Sequence, residues 1–168
     1  MPRNSTLLKT WFIGVGLSGL SLLVFSARDA GMPSVEAILI FGVLIGLAEW
    51  RQVILPHGEG MSTALGVVLS VLWIYGPGTA MGAEVVGSLI AALFARSRVQ
   101  ILLFNVGQLL WSVAAGYAAF TWAGMAPGQP IELTDIWPWL FSGTLFSLTN
   151  TVLLAIGLAL HNRHWYGD

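Results

Sequence analysis

The chain of 168 residues contains no cysteine. Disulfide bonds, thiolate metal ligands and cysteine nucleophiles are therefore excluded, and cysteine usage says nothing about the redox compartment. Charged residues are also scarce: 9% of the residues are Asp, Glu, Lys or Arg, whereas a soluble domain carries about 25%. No run of basic residues marks a nucleic-acid surface, so no nucleic-acid partner is expected.

Sequence signatures of catalysis are missing as well. The chain has no Ser/His/Asp order, phosphate-binding Walker loop, HExxH pair or dinucleotide fingerprint, and its glycines have the spacing of helix packing. His161 and His164 have helical i, i+3 spacing and His57 falls on the same predicted side, but no carboxylate set shares their face. We therefore expect no enzyme, no catalytic residue and no metal site, and the sequence identifies no cofactor.

What the chain does contain is apolar. Hydrophobic residues make up 56% of it, with eight Trp and 20 Gly, and the mean hydropathy is +0.79. A soluble protein of this composition would have too few polar side chains to cover its surface. A bilayer, in contrast, requires an apolar exterior and backbone groups that are satisfied within helices. The composition predicts an integral membrane protein whose first partner is the lipid bilayer.

Gly, Pro and charged residues divide the apolar sequence into six segments. They predict an all-α, polytopic membrane bundle forming one domain, with spans at about residues 7–26, 34–50, 62–75, 79–95, 99–122 and 137–160. Arg51 to Gly60 is too broken by Pro and Gly for a helix and is expected to be a hinge or loop. Gly76-Pro77-Gly78 predicts a tight turn that joins the third and fourth spans into a helical hairpin. A cleaved signal peptide over residues 1–27 is disfavoured, since its apolar run is too long.

The basic residues predict the orientation of the bundle. With the N- and C-termini cytoplasmic, only Arg28 lies outside, which satisfies the positive-inside rule. The outer loops then contain Asp29, Glu132 and Asp135. The basic residues placed inside are Arg3, Lys9, Arg51, Arg96, Arg98 and Arg163.

Small residues recur at four-residue spacing in several spans. Such stripes let helix backbones approach closely in lipid. They include Gly42 and Gly46, Gly82 and Ala83 with Gly87, and Ser112 with Gly116. We expect these stripes to form packing seams within the chain rather than a dimer interface.

Polar side chains within the spans are the candidate functional residues, because they are costly at bilayer depth unless paired or hydrated. Glu84 lies roughly 9 Å below the outer boundary at about 1.5 Å per residue, with no Lys or Arg deep in any span to neutralise it. Asn105, Gln108 and Ser112 share one face of the fifth span. A second polar face on the sixth comprises Thr144, Ser147, Asn150 and Thr151.

Two interpretations of these residues remain open. The amides and hydroxyls can hold helices together, or they can form a polar pocket between spans four, five and six for a small ligand. The candidate ligand-binding residues are Glu84, Asn105, Gln108, Ser112, Ser147 and Asn150. Glu36 and Glu49, near the ends of the second span, are expected to be interfacial groups.

The segment from Leu47 to Tyr117, about 40% of the chain, resembles the multi-pass membrane module that precedes HD-GYP and GGDEF signalling domains in many bacteria. The resemblance implies a sensory or ligand-responsive module in the bacterial cytoplasmic membrane. In that family a cytoplasmic enzyme follows the sixth helix, whereas this chain is expected to end within eight residues of it, so no cyclic-dinucleotide chemistry is carried over. The matching features are the LAE helix end at Leu47, the V-x-LP segment from Val53 to Gly58, Ser62, Gly76-Pro77, Arg96 and Arg98, and the FN-x-x-Q motif of Phe104, Asn105 and Gln108 followed by Ser112.

The layout of six spans with a Gly-Pro hairpin is also similar to the substrate-capturing S components of energy-coupling-factor vitamin transporters. Three functions are therefore considered. A stand-alone sensory or small-ligand-binding module predicts a cavity around Asn105, Gln108 and Asn150. A transporter S component predicts an outward-opening pocket that involves Glu84. An accessory subunit of a larger membrane complex predicts no cavity and extensive contacts with other membrane protein subunits.

Overall fold

Six helices account for most of the computed structural model, which describes residues 3–29, 33–50, 53–54, 60–61, 63–130, 132 and 135–165. Side chains are described for residues 6–26, 33–50, 63–130, 132 and 135–160. A helix occupies each predicted span, so the prediction of a helical bundle is confirmed. The helices are α1 (Arg3–Asp29), α2 (Val35–Trp50), α3 (Ala64–Tyr75), α4 (Pro77–Ala95), α5 (Val99–Trp122) and α6 (Ile136–Trp165).

Four of these helices are long and apolar enough to cross a membrane: residues Thr6–Ser26 of α1, Pro77–Ala95, Val99–Trp122 and Ile136–Leu160 of α6. They make the chain a multi-pass membrane protein by length and composition. The other two helices are shorter, with 16 residues in α2 and 12 in α3. At 1.5 Å per residue they reach about 24 and 18 Å, less than the roughly 30 Å of a hydrocarbon core. Six crossings therefore remain a prediction.

The connection between α2 and α3 differs from a simple loop. Strand β1 (Val53–Ile54) pairs antiparallel with β2 (Gly60–Met61). The Pro and Gly residues that indicated the absence of a helix gave no sign of this short ladder, because a two-residue strand is too short to show alternation. The rest of the predicted hinge lies outside the described residues.

The turn between α3 and α4 is tighter than the sequence indicated. Only Gly76 lies outside the two helices, and its φ of +83° is a conformation that residues with a side chain rarely adopt. Its N–H donates a 3.0 Å hydrogen bond to the carbonyl of Leu72. Pro77 then begins α4, where its missing N–H costs no helical hydrogen bond. The fourth helix consequently starts two residues before the predicted Thr79.

The core is centred on the short α3. Half of its residues are buried, and they pack with Ala80, Met81 and Ala83 of α4 and with Val106, Leu110 and Val113 of α5. The Trp73 ring meets Phe120 edge-on at 5.0 Å and Trp139 at 5.6 Å. Large apolar side chains such as Leu93 and Trp122 remain exposed on the outside. An apolar exterior around a packed interior is the arrangement that a bilayer stabilises.

Glycines lie where neighbouring helices approach each other most closely. Gly42 of α2 packs against Val86 of α4, Gly46 against Ile90, and Gly82 of α4 against Ile38. Residue numbers rise together along this seam, so α2 and α4 run parallel. The packing seams expected within the chain are thus present between α2 and α4.

A second seam joins α1 to α5. A Cβ atom on Gly19 would lie 2.6 Å from the Cα of Gly107, so the two backbones are in direct contact there. The rings of Phe12 on α1 and Phe104 on α5 stack with their centroids 4.5 Å apart. These two helices are also parallel. This seam was not predicted from the sequence, although Gly16 and Gly107 both belong to it.

Candidate functional site

A cavity of about 730 Å³ lies between α2, α4, α5 and α6. Glu49 and Trp50 line it from the end of α2, and Asn150 lines it from α6. From α5 come Asn105 and Gln108, one helical turn apart. The wall on α4 is made of small residues, Ser88, Ala91, Ala92 and Ala95, and their small volume leaves the space open.

The cavity extends to one end of the bundle. Ala95, the last residue of α4, and Ser97, in the connection to α5, both line it. The Trp50 and Phe94 rings stack at 4.7 Å beside this end, joining the last turns of α2 and α4. Under the predicted orientation this is the cytoplasmic end.

Three oxygens of residues that line the cavity are buried and have no hydrogen-bond partner among the described residues. They are Ser88 Oγ, Gln108 Oε1 and Asn150 Oδ1. Buried polar atoms are nearly always hydrogen-bonded, and an unmade bond costs about 1 to 3 kcal/mol. Each residue therefore keeps an acceptor that no protein donor uses, and rotation of its side chain toward the cavity presents that oxygen to a ligand.

Glu84 lies just behind the wall, one turn before Ser88 on α4. Only 1% of its surface is exposed, and neither carboxyl oxygen has a hydrogen-bond partner within the described part of the chain. Its carboxyl group interacts electrostatically with that of Glu49 on α2, although the two do not meet hydrogen-bond geometry. Two carboxylates that interact in this way repel each other when both are ionised. The pair is therefore suited to a species that brings positive charge.

The sequence-predicted residues fall into two groups. Asn105, Gln108 and Asn150 line the cavity together. Ser112 is buried elsewhere and donates a 2.8 Å hydrogen bond to the carbonyl of Gln108 on its own helix. Ser147 is half-buried and is not part of the cavity wall.

Two carboxylates have surroundings that the sequence did not predict. Glu49 was expected to be an interfacial group; it is half-buried on the cavity wall near the end of α2, and its carboxyl group interacts with that of Glu84. Its position at the membrane interface remains a prediction. Glu84 is not on the wall itself. Residues on neighbouring helices bring about this pairing, so spacing within either helix does not reveal it.

Ser88 was missed by the sequence analysis. It lies four residues after Glu84 and so occupies the same face of α4, which is a signal that the sequence does contain. No cluster of three or more His, Asp or Glu side chains is present where side chains are described. The side chains of His57, His161 and His164 lie outside that part of the chain.

Comparison with known proteins finds no matching family model, no similar curated protein and no similar solved structure. The fold and the cavity themselves define the class. The chain is a multi-pass helical membrane protein whose bundle contains a half-open cavity lined by both polar and apolar residues.

Proposed function

We propose that the chain is a non-catalytic membrane module that binds a small molecule in the cavity and reports its occupancy to a separate membrane partner. The observation that carries this proposal is that Ser88, Gln108 and Asn150 line the same cavity from three helices and each has an unpartnered oxygen. A module that only held helices together would use these groups to bond one helix to another.

The size of the cavity supports a small-molecule ligand. Its volume of about 730 Å³ falls within the roughly 300 to 1,000 Å³ of known ligand pockets. Four helices contribute to its walls, so a ligand would contact all of them at once. Binding that draws α2 and α4 toward α5 and α6 would change the outer surface that a partner reads.

The membrane setting is part of the proposal. Four apolar helices support a multi-pass protein, and the basic residues support cytoplasmic termini and six crossings. The resemblance to modules that precede signalling domains supports a bacterial cytoplasmic membrane and a sensory role. The partner in this case is a separate chain.

The two other functions are less well supported. A transporter S component would need a pocket that opens outward near Glu84, whereas the cavity reaches the α4–α5 connection, which the basic residues assign to the cytoplasm. An accessory subunit without a ligand gives no reason for a cavity lined by unpartnered oxygens.

The test is native mass spectrometry on the protein purified from its own membrane, followed by extraction of small molecules. Ala92→Phe fills the cavity from the small-residue wall of α4, and Ala118→Phe places the same side chain on an exposed site of α5. We expect a bound small molecule in the wild type and in Ala118→Phe, and its loss from Ala92→Phe. Equal small-molecule content in all three proteins, or none in any, would overturn the proposal.

A further inference from the structure

The buried polar atoms without a partner at the cavity and directly behind it share one chemistry. Among the described residues they are all oxygens: the hydroxyl of Ser88, the amide oxygens of Gln108 and Asn150, and both carboxyl oxygens of Glu84. Carboxylate and amide oxygens only accept hydrogen bonds. A molecule that pairs these oxygens must therefore supply donors.

Charge narrows the ligand class further. Glu49 on the wall and Glu84 behind it bring two carboxyl groups together, and neither has a cationic partner within the described part of the chain. A buried carboxylate without a counterion is strongly disfavoured in a low-dielectric interior. A cation bound beside Glu49 would offset both the cost of removing the carboxylates from water and their mutual repulsion.

On this basis we propose, resting on the function proposed above, that the ligand is a small organic ammonium compound. Its cationic nitrogen lies against Glu49 with Glu84 behind, and its remaining donors reach Gln108 and Asn150. A bare metal ion fits less well, because the space is far larger than one ion and no three His, Asp or Glu side chains cluster among the described residues. An ammonium group supplies positive charge and several N–H donors at once.

The stacked rings beside the site fit the same ligand. Trp50 lines the cavity next to Glu49 and stacks on Phe94. The face of an indole ring attracts ammonium groups electrostatically. An aromatic wall next to a carboxylate pair is thus suited to an alkylammonium chain, whose methylene groups pack against the ring.

Binding is measured by isothermal titration with the full chain in nanodiscs of phosphatidylglycerol, a lipid without an ammonium group. The probes are methylammonium, ethanolamine, choline, putrescine and spermidine. Matched four-carbon controls are 1,4-butanediol, which is neutral, and succinate, which is anionic. We expect at least one ammonium probe to bind, and the diol and the diacid to bind at least about tenfold more weakly, as loss of a charge-assisted hydrogen bond predicts.

Matched variants separate the site from the general charge of the protein. Glu84→Gln and Glu49→Gln each remove one charge from the pair at nearly constant volume, and Glu36→Gln removes one from an exposed position on the same α2 helix. We expect the first two to weaken ammonium binding about tenfold or more and the third to leave it unchanged. Unchanged elution volume in size-exclusion chromatography shows that each variant is folded.

Each remaining outcome has a definite meaning. Equal affinity for putrescine and 1,4-butanediol, or full affinity in Glu84→Gln, would overturn the ammonium assignment while leaving a ligand-binding cavity. Failure of every ammonium probe, with a neutral molecule recovered from the native protein, would do the same. Failure of every probe together with no recovered molecule would overturn the proposed function itself.

The same ammonium chemistry occurs in free amines and in the headgroup of phosphatidylethanolamine. Nanodiscs that contain phosphatidylethanolamine distinguish these sources. If the ligand is a headgroup, native mass spectra of the wild type show one retained phosphatidylethanolamine, and those of Glu84→Gln show none. Putrescine then competes with this lipid for the site. A free amine gives the same putrescine affinity in both lipid mixtures.

Discussion

The hydroxyl of Ser142 on α6 donates a 2.8 Å hydrogen bond to the backbone carbonyl of Gly116 on α5. The close approach depends on the glycine, since a Cβ atom there would lie 3.3 Å from the hydroxyl oxygen. Within residues 136–160 of α6, where side chains are described, three residues are buried: Ser142, Phe146 and Gly157. A long, mostly lipid-facing helix is thus attached to the bundle along one narrow face, and Asn150 lies between the attachment points.

Removal of this bond is expected to loosen α6. Ser142→Ala should lower the free energy of unfolding by about 0.6 kcal/mol, the average for hydrogen bonds between membrane helices. Ser70→Ala is the matched control, because the Ser70 hydroxyl donates only to Gly66 on its own helix. Reversible unfolding in mixed micelles, followed by tryptophan fluorescence, measures both. A larger loss in Ser70→Ala than in Ser142→Ala would contradict the proposed attachment.

The seam between α1 and α5 should tolerate no added side chain. Gly107→Ala places a methyl group against the backbone of Val15 and Gly16, and overpacking of this kind costs about 1 to 3 kcal/mol. Gly14→Ala adds the same methyl group on α1 where no atom lies within 4 Å. We expect reduced thermal stability and more aggregate for Gly107→Ala in fluorescence-detected size-exclusion chromatography. Identical profiles for the two variants would show that the helices are not in contact there.

Glu84 is expected to reduce stability when the cavity is empty. Glu84→Met keeps a side chain of similar length and removes the buried carboxyl group with its repulsion from Glu49. Replacing buried charges by apolar groups of similar volume often stabilises a protein by about 1 to 4 kcal/mol. We therefore predict a higher melting temperature for ligand-free Glu84→Met than for the ligand-free wild type, measured by differential scanning fluorimetry.

The corresponding change at an exposed carboxylate serves as the control. Glu36→Met, on the same helix as Glu49, should leave the melting temperature almost unchanged, since Glu36 is exposed. A fall in stability for Glu84→Met would mean that the carboxyl group supports the fold. The ammonium assignment would then lose the argument that the group is without a partner.

Much of the architecture is readable from the sequence because the bilayer imposes strong rules. The lengths of the apolar segments and the Gly and Pro residues between them predict the six helices to within a few residues. The helix Val99–Trp122, for example, matches its predicted span. The same rules do not decide whether α2 and α3 cross the membrane. Their short lengths depend on bilayer thickness and tilt, which lie outside the sequence.

Only part of the candidate site can be predicted from the sequence. The shared face of Asn105 and Gln108 follows from helical periodicity alone. The pairing of Glu49 with Glu84 does not, because it depends on the parallel register of α2 and α4 across the connection between them. Two stripes of glycine predict close packing of each helix, but not which helix lies opposite or how far it is shifted along the seam.

The orientation of the cavity can be tested directly, since the chain has no cysteine to mask. Ser97→Cys places a thiol in the α4–α5 connection at the open end of the cavity, and Ala126→Cys places one in the α5–α6 connection; both sites are exposed. A membrane-impermeant maleimide should label Ala126→Cys in intact cells. It should label Ser97→Cys only after permeabilisation, because the positive-inside rule assigns Arg96 and Arg98 to the cytoplasm.

The reverse labelling pattern would have a specific consequence for function. It would turn the cavity toward the outside, where Glu49 and Asn150 would meet solutes before they enter the cell. A sensory module that reports to the cytoplasm would still be possible, but the objection to a substrate-capturing transporter component would disappear. Labelling from both sides at Ser97→Cys would instead indicate a mixed orientation, and the six-to-one distribution of basic residues would then have failed to set the topology.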